Sequence, residues 1–256
     1  MATSKVVLVT GASRGIGQAI ARFLIEAPPQ HKLVLTARTS QPLEELKSLA
    51  PDRVDYVAGD ISDAAVIEKA VNTAVRKFGG LDGLILNHGT LGHVKSISEL
   101  SMTDWQEDFT TNFFSAAYAA KVAIPELRKT KGRIVITSSG AAQGAYRGWA
   151  VYGASKAAQN HLCLSLRAEE ADITTIAIRP GMVDTDMQRT IREQHVENMD
   201  AEDMKKFQGA FDEGKLVKPE QCGHVIAKLA IAATPDLSGM FLSWNDERLT
   251  DYQLRK

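Results

Sequence analysis

Short apolar runs alternate with longer helical patterns along the chain. The run KVVLVT at 5–10 leads into a glycine-rich turn and the helical pattern GQAIARFLIEA. KLVLTA (32–37) precedes PLEELKSLA, and RVDYVAGD (53–60) precedes DAAVIEKAVNTAVRKF, whose apolar positions 66, 67, 70, 71, 74, 75 and 78 recur at helical spacing. LDGLILN (81–87) follows, then a long helical region over 103–129, then GRIVIT (132–137) and a small-residue helix that contains WAVYGASKAAQN. ITTIAIRPG (173–181), a helix near 219–233 and the apolar stretch MFLSW complete the rhythm. The strand runs are almost continuously apolar, which suits strands buried on both faces. Repeated strand–helix alternation predicts an α/β fold with a parallel, doubly wound sheet and helices on both sides. No linker rich in Pro, Gly or Ser and no repeat breaks the pattern, so 1–256 reads as one domain. Residues 184–217 are out of step: charged, Met-bearing and long. They read either as a solvated helical excursion or as a lid over a site, because long insertions in compact domains are often functional.

Composition narrows the class. With 256 residues the chain is long enough for a large core, and its formal net charge of −1 gives no global basic field to recruit nucleic acid or anionic lipid. Cys163 and Cys222 stand far apart, which gives no disulfide framework and no zinc spacing. Cys222-Gly223-His224 falls short of the three or four protein ligands that zinc needs, so no metal is expected. The N-terminal apolar run is too short for a signal peptide, no window approaches the ~18 apolar residues of a spanning helix, and DYQLRK matches no lipidation or retention signal. Cytoplasm is the default expectation.

The strongest local signal is VTGASRGIGQAI, placed between the first strand and the first helix. Gly11, Gly15 and Gly17 give the spacing G-x-x-x-G-x-G, which suits a tight turn and close approach of backbone to a phosphate. The helix start offers free N–H groups and a positive dipole end to a pyrophosphate. Ser13, Arg14 and Ile16 fill out this turn. An NAD site expects a carboxylate near the end of the second strand, ~20 residues beyond the glycines. Ala37 stands there instead, followed by Arg38. Arg14 and Arg38 can grip a 2′-phosphate, so NADP(H) is preferred over NAD. Asp60, with Ile61 after it, could accept from an adenine amino group, and Asn87-His88-Gly89 ends the fourth strand. Both lie at carboxyl ends of strands, where open α/β sheets bind ligands.

Tyr152 and Lys156 lie one helical turn apart on a slim helix, a stacking of ionisable groups that suggests chemistry rather than packing. The motifs TGASRGIG, NHG, TTNFFSAAY, IVITSSG, YGASK and RPGMVDTDM occur in the order of the classical short-chain dehydrogenases/reductases, and the chain resembles that family over essentially its whole length. The C-terminal SGMFLSWNDERL is similar to the sepiapterin reductase and benzil reductase branch. The resemblance implies a single Rossmann-like domain with a seven-stranded parallel sheet. It makes Tyr152 the acid/base, Lys156 its electrostatic partner, Ser139 (with Ser138 as rival) the carbonyl polariser and Asn112 the anchor of a proton-relay water. It also implies that Pro180 and Gly181 turn the chain while Val183 and Thr185 hold the nicotinamide carboxamide. His88 replaces the commoner Ala of Asn-Ala-Gly, with an effect that the sequence leaves open.

The chemistry fits these roles. Reducing a ketone needs a hydride and a proton from a positioned acid. An ammonium ~4 Å from a phenol at an effective dielectric of ~20 is worth about 4 kcal/mol before desolvation, which is roughly three pKa units, so Lys156 is expected to bring Tyr152 toward neutrality. His93, Tyr146, Trp149, Met182 and Met187 are candidate pocket walls, with plain core or surface as the alternative for each. The expected activity is NADPH-dependent reduction of a ketone, diketone or pterin side-chain carbonyl. The alternatives are an NADP-dependent alcohol dehydrogenase and a catalytically silent NADP(H)-sensing protein. The helical regions 103–129 and 151–170 carry small residues, and the resemblance implies a homodimer or homotetramer through them. The alternative is that these faces pack on the sheet.

Overall fold

Among the described residues, seven strands alternate with helices as the hydrophobic pattern predicts, and the α-helices number nine because 103–129 divides in two and 184–217 forms two more. The structure is a computed structural model that describes residues 3–254. The outermost residues of MATSK and DYQLRK, read above for targeting signals, lie outside the described residues. The strands are β1 (Val6–Thr10), β2 (Lys32–Ala37), β3 (Val54–Ala58), β4 (Gly83–Leu86), β5 (Arg133–Thr137), β6 (Thr174–Arg179) and β7 (Phe241–Ser243). They form one sheet in the order β3-β2-β1-β4-β5-β6-β7, with every pairing parallel. The helices are α1 (Gly15–Glu26), α2 (Gln41–Ser48), α3 (Ala64–Thr73), α4 (Met102–Phe109), α5 (Ser115–Thr130), α6 (Ala150–Glu169), α7 (Asp186–Gln194), α8 (Ala201–Asp212) and α9 (Pro219–Ala232).

Alternate residues of each strand feed two cores. Val7 and Val9 of β1 pack with Leu33 and Leu35 of β2 under α1, α2 and α9, where Ile20, Leu24, Leu43 and Ile226 are buried. Val6, Leu8 and Val34 face the other side, against Ile67 of α3, Cys163 of α6 and a run of alanines on α5. Ala116, Ala119, Ala120 and Ala123 are at most 1% exposed, so the small residues of α5 serve the sheet on this side. With no Cβ branching they let the helix approach the sheet closely.

Two features set the site. The strand order reverses between β1 and β4, and a crevice opens at the carboxyl ends of strands at such a switch point. The helical region predicted over 103–129 is divided: α4 and α5 are joined by a π-helical turn, Thr110–Phe114. A 3.6-residue periodicity scan cannot see that extra residue, because the flanking faces remain in phase with their own neighbours. Residues 184–217 fold as α7 and α8 and are tied at the base by a bridge between Val183 and Val217, with Val217 N donating to Met182 O at 2.8 Å and Asp184 N donating to Val217 O at 2.9 Å.

Candidate active site

A cavity of about 900 Å³ runs along the carboxyl ends of the strands. One end is the glycine turn. Gly11 has φ of 67° and Gly15 of 53°, a region in which side chains are strained. A Cβ at Gly17 would overlap the Gly11 carbonyl oxygen. The first turn of α1 has no side-chain cap, so its N–H groups remain available to an anion. Asn87 braces the turn: its Nδ2 donates to the carbonyls of Thr10 and Gly11, each at 3.3 Å, and its Oδ1 accepts from Thr137 Oγ1 at 3.2 Å. These backbone donors, and the close backbone approach that a side chain would block, fit a dinucleotide pyrophosphate.

The same wall continues through Ser13, Arg14, Ile16, Arg38, Asp60, Ile61 and Gly89. Arg14 Nη1 pairs with Asp186 of α7 at 3.1 Å, an exposed contact, while Arg38 makes no ion pair among the described residues. Asp60 Oδ1 accepts from Ser62 N and Ser62 Oγ, and those hydrogen bonds hold its carboxyl below the usual range. Pro180, Gly181, Val183 and Thr185 form the facing edge.

Ser139, Tyr152 and Lys156 converge on the inner wall. Ser139 leaves β5 in extended backbone, and its Oγ accepts from Ala141 N at 3.1 Å. Its hydroxyl is near enough to the phenol of Tyr152 to act toward lowering the phenol's pKa. The rival, Ser138, is committed elsewhere: its Oγ donates to Asn160 Oδ1 at 2.7 Å. Tyr152 and Lys156 are both buried, at 7% and 3% exposure.

The electrostatics differ from the sequence expectation. Lys156 Nζ stands 5.9 Å from the Tyr152 ring centroid, and it donates instead to Thr137 O at 2.9 Å and Gln159 Oε1 at 3.1 Å. Burial raises the Tyr152 pKa above that of an ordinary phenol, against the partial lowering from Ser139. Burial also brings Lys156 down to about 8. The reason is that desolvation penalises both ions, while the ammonium spends its donors on neutral acceptors.

Asn112 also departs from its expected place. It is fully buried on the π turn, behind Gly89 of the cavity wall. Its Oδ1 accepts from Thr90 N at 2.8 Å, and its Nδ2 donates to Thr90 O and Ser155 Oγ. Its backbone carbonyl accepts from Gln159 Nε2 at 2.5 Å. Gln159 was missed at the sequence level. Positions 152, 156 and 159 fall at i, i+4 and i+7, the signature of a single helix face, and that spacing could have found it.

His88 sits behind β4, with Nδ1 2.7 Å from Thr10 Oγ1 and Nε2 2.8 Å from Ser115 Oγ. Burial lowers its pKa to about 3, with the Lys156 charge adding to the effect. It is a neutral strut between β1 and α5 that also borders the cavity, with both ring nitrogens already partnered.

The substrate end of the cavity is aromatic and sulfur-rich. Tyr146, Trp149, Met182 and Met187 line it, joined by Ile191 of α7 and Phe207 of α8, which the sequence did not single out. Trp149 meets Tyr152 edge-on at 5.7 Å and 88°, and Phe207 at 5.5 Å. His93 is the exception. It is absent from the cavity wall and lies against α4, with Nδ1 3.2 Å from Asp108 Oδ1 and Nε2 3.3 Å from Asp104 Oδ1. Carboxylates on the first α4 turns draw it there. At the far side of α1, His224 packs on Phe23 at 4.1 Å, and burial pushes the Cys222 thiol up to about 12.

A cleft that joins a phosphate-type glycine turn to a half-buried hydroxyl and a buried phenol and ammonium defines a dinucleotide-dependent α/β oxidoreductase. The family model for short chain dehydrogenase matches residues 5–196, and the chain belongs to that family, whose members use a nicotinamide cofactor. It is 40% identical over 250 residues to the uncharacterized oxidoreductase YIR035C of Saccharomyces cerevisiae, covering 97% of this chain and 98% of that protein. The crystal structure of YIR035C superposes with a TM-score of 0.96, covering 98% of this chain and 100% of that one. Benzil reductase ((S)-benzoin forming) IRC24 of the same yeast is 37% identical over 260 residues, 97% of this chain and 99% of that protein, in keeping with the likeness to the benzil reductase branch. L-Sorbose reductase from Gluconobacter frateurii, solved with NADPH and L-sorbose, is 28% identical with a TM-score of 0.80, covering 94% of this chain and 95% of that one. No helix among the described residues is long and apolar enough to cross a membrane.

Proposed function

We propose that this oxidoreductase is an NADPH-dependent carbonyl reductase whose substrates are ketones or diketones with an aromatic flank. The observation that carries the reading is the convergence of the Ser139 hydroxyl and the Tyr152 phenol beside an aromatic wall, at the far end of a cleft from the glycine turn. In this reading Gly11, Gly15, Gly17 and the first turn of α1 hold the pyrophosphate. Arg14 and Arg38 take the 2′-phosphate, Asp60 and Ile61 border the adenine, and Asn87, Pro180, Gly181, Val183 and Thr185 seat the nicotinamide end. The bound nicotinamide supplies the hydride. Ser139 donates to the substrate carbonyl oxygen and stabilises charge as it develops there. Tyr152 gives that oxygen its proton, and Lys156 offers a positive charge below the site. The raised pKa of Tyr152 favours this direction, because a neutral phenol is the form a proton donor needs, whereas oxidation of an alcohol needs the phenolate.

The chain functions as a single dinucleotide-binding and catalytic domain, with 184–217 as a substrate lid. It works in the cytoplasm as a homodimer or homotetramer through α5 and α6. The sulfur and aromatic side chains under the lid suit a flat apolar substituent.

The test is NADPH oxidation with a panel of aryl ketones and diketones, for the unsubstituted chain and for Tyr152→Phe. The variant should lose about 10²- to 10⁴-fold in turnover while binding NADPH as before. Retention of a third of the rate would show that another acid does the work. NADPH binding without turnover across the panel would favour a sensor. Equal or better efficiency with NADH, or no loss of the NADPH preference in Arg38→Ala, would overturn the cofactor assignment.

A further inference from the structure

Gln159 lies on the same face of α6 as Tyr152 and Lys156 and is fully buried. Its two ends are both used: Oε1 accepts from Lys156 Nζ at 3.1 Å, and Nε2 donates to Asn112 O at 2.5 Å. The partners fix the orientation of the amide. An ammonium can only donate and a carbonyl can only accept, so the oxygen must face Lys156 and the nitrogen must face the π turn. A second tether, Thr137 O at 2.9 Å, comes from the end of β5. An ammonium has three donors in a tetrahedral arrangement. Fixing two of them sets the direction of the third, and Lys156 lines the cavity beside Gly89, whose lack of a side chain leaves room there, since a Cβ would lie 3.4 Å from Nζ.

We infer that Gln159 is a positioning residue for the proposed reaction: its amide occupies the span between Lys156 and the Asn112 carbonyl and aims the remaining Lys156 donor into the cleft. The inference rests on the proposed role of Lys156. A water in that span could turn and pass a proton along, whereas a side-chain amide held at both ends forms a static bridge. The direct span from Lys156 to the Asn112 carbonyl is therefore filled by a group that does not relay protons.

The titratable groups that face Lys156 are Tyr152 on the same helix and His88 behind β4. From β5 it meets the Thr137 carbonyl, from the π turn only Asn112 through Gln159, and no carboxylate pairs with it among the described residues. Its charge is therefore sensitive to what stands at 159. Loss of the acceptor disfavours the ammonium, and a carboxylate favours it.

The experiment is NMR titration of the Lys156 Cε in cofactor-free protein, assigned with Lys156→Met, for the unsubstituted chain, Gln159→Leu and Gln159→Glu, alongside the pH profile of kcat/KM. Gln159→Leu should lower the Lys156 midpoint by at least about half a unit, and Gln159→Glu should raise it by about one unit or more. The alkaline limb of kcat/KM should move in the same directions, and kcat should fall about tenfold in Gln159→Leu. Unmoved midpoints in both variants, with only a loss of thermal stability, would overturn the inference and leave Gln159 as packing. If Gln159→Leu does not fold, Gln159→Glu alone decides by the sign of its shift. If the unsubstituted chain reduces no carbonyl, the functional reading falls while the titration still decides the tether.

Discussion

At the scale of single residues, burial decides which groups can be ions. Lys156, brought down to about 8 by burial, is charged at neutral pH and loses its charge above about pH 8. Carbonyl reduction should therefore weaken as pH rises through that value, measured as kcat/KM with NADPH at saturation, while Tyr152 stays protonated throughout. His88 has the opposite consequence for stability. Its folded pKa of about 3 lies below the ordinary 6.5, so the unfolded chain binds the extra proton between those values. Its neutral contacts stabilise the fold fully above about pH 6.5, and that stability is lost as pH falls toward 3, by up to about 1.4 kcal/mol per unit. His88→Ala should cost about 1–3 kcal/mol at pH 7.5, because Thr10 and Ser115 lose a buried partner. The gap to the unsubstituted chain in urea midpoints should then shrink at pH 5. A constant gap would show that the ring is not held neutral.

At the scale of elements, the sequence was legible where a pattern repeats and opaque where one residue breaks it. The seven strands follow from short, nearly continuous apolar runs, because strands between two helical layers must be apolar throughout, the glycine turn from its glycine spacing, and the Tyr152–Lys156 face from period-3.6 spacing. The π turn at Thr110–Phe114 was invisible for the opposite reason, since no side-chain preference marks it. The direction of the Tyr152 pKa was misread because spacing reports distance along a helix and says nothing of desolvation. His93 was misplaced because the acids that hold it lie on another element, eleven and fifteen positions along the chain. The 184–217 segment resolved into α7 and α8, and the contribution of Phe207 could not be read before that helix had a facing wall. Phe207→Ala should raise KM for an aryl diketone by about tenfold with little change in NADPH affinity, as steady-state kinetics and fluorescence titration would show. Gly17→Ala should do the reverse, abolishing NADPH binding, because its Cβ has no room against the Gly11 carbonyl.

At the scale of the whole molecule, the outer faces of α4 to α6 carry apolar groups that the sheet does not use. Phe114 is 54% exposed, Leu164 49% and Met102 72%. In the proposed oligomer these faces meet their counterparts, so light scattering should return at least twice the monomer mass, and Phe114→Glu with Leu164→Glu should return the monomer. Monomeric unsubstituted protein at micromolar concentration would sink that assembly. The widened turn between α4 and α5 has its own consequence for how this architecture can change over time. An α-helix advances ~100° per residue. Because a π turn takes up one extra residue within itself, deleting one position from 110–114 would restore regular winding there and leave the alanine face of α5 on the strands it seats on. What such a deletion would undo is local: the seat of Asn112, whose side chain is held by Thr90 and Ser155 and whose carbonyl is held by Gln159.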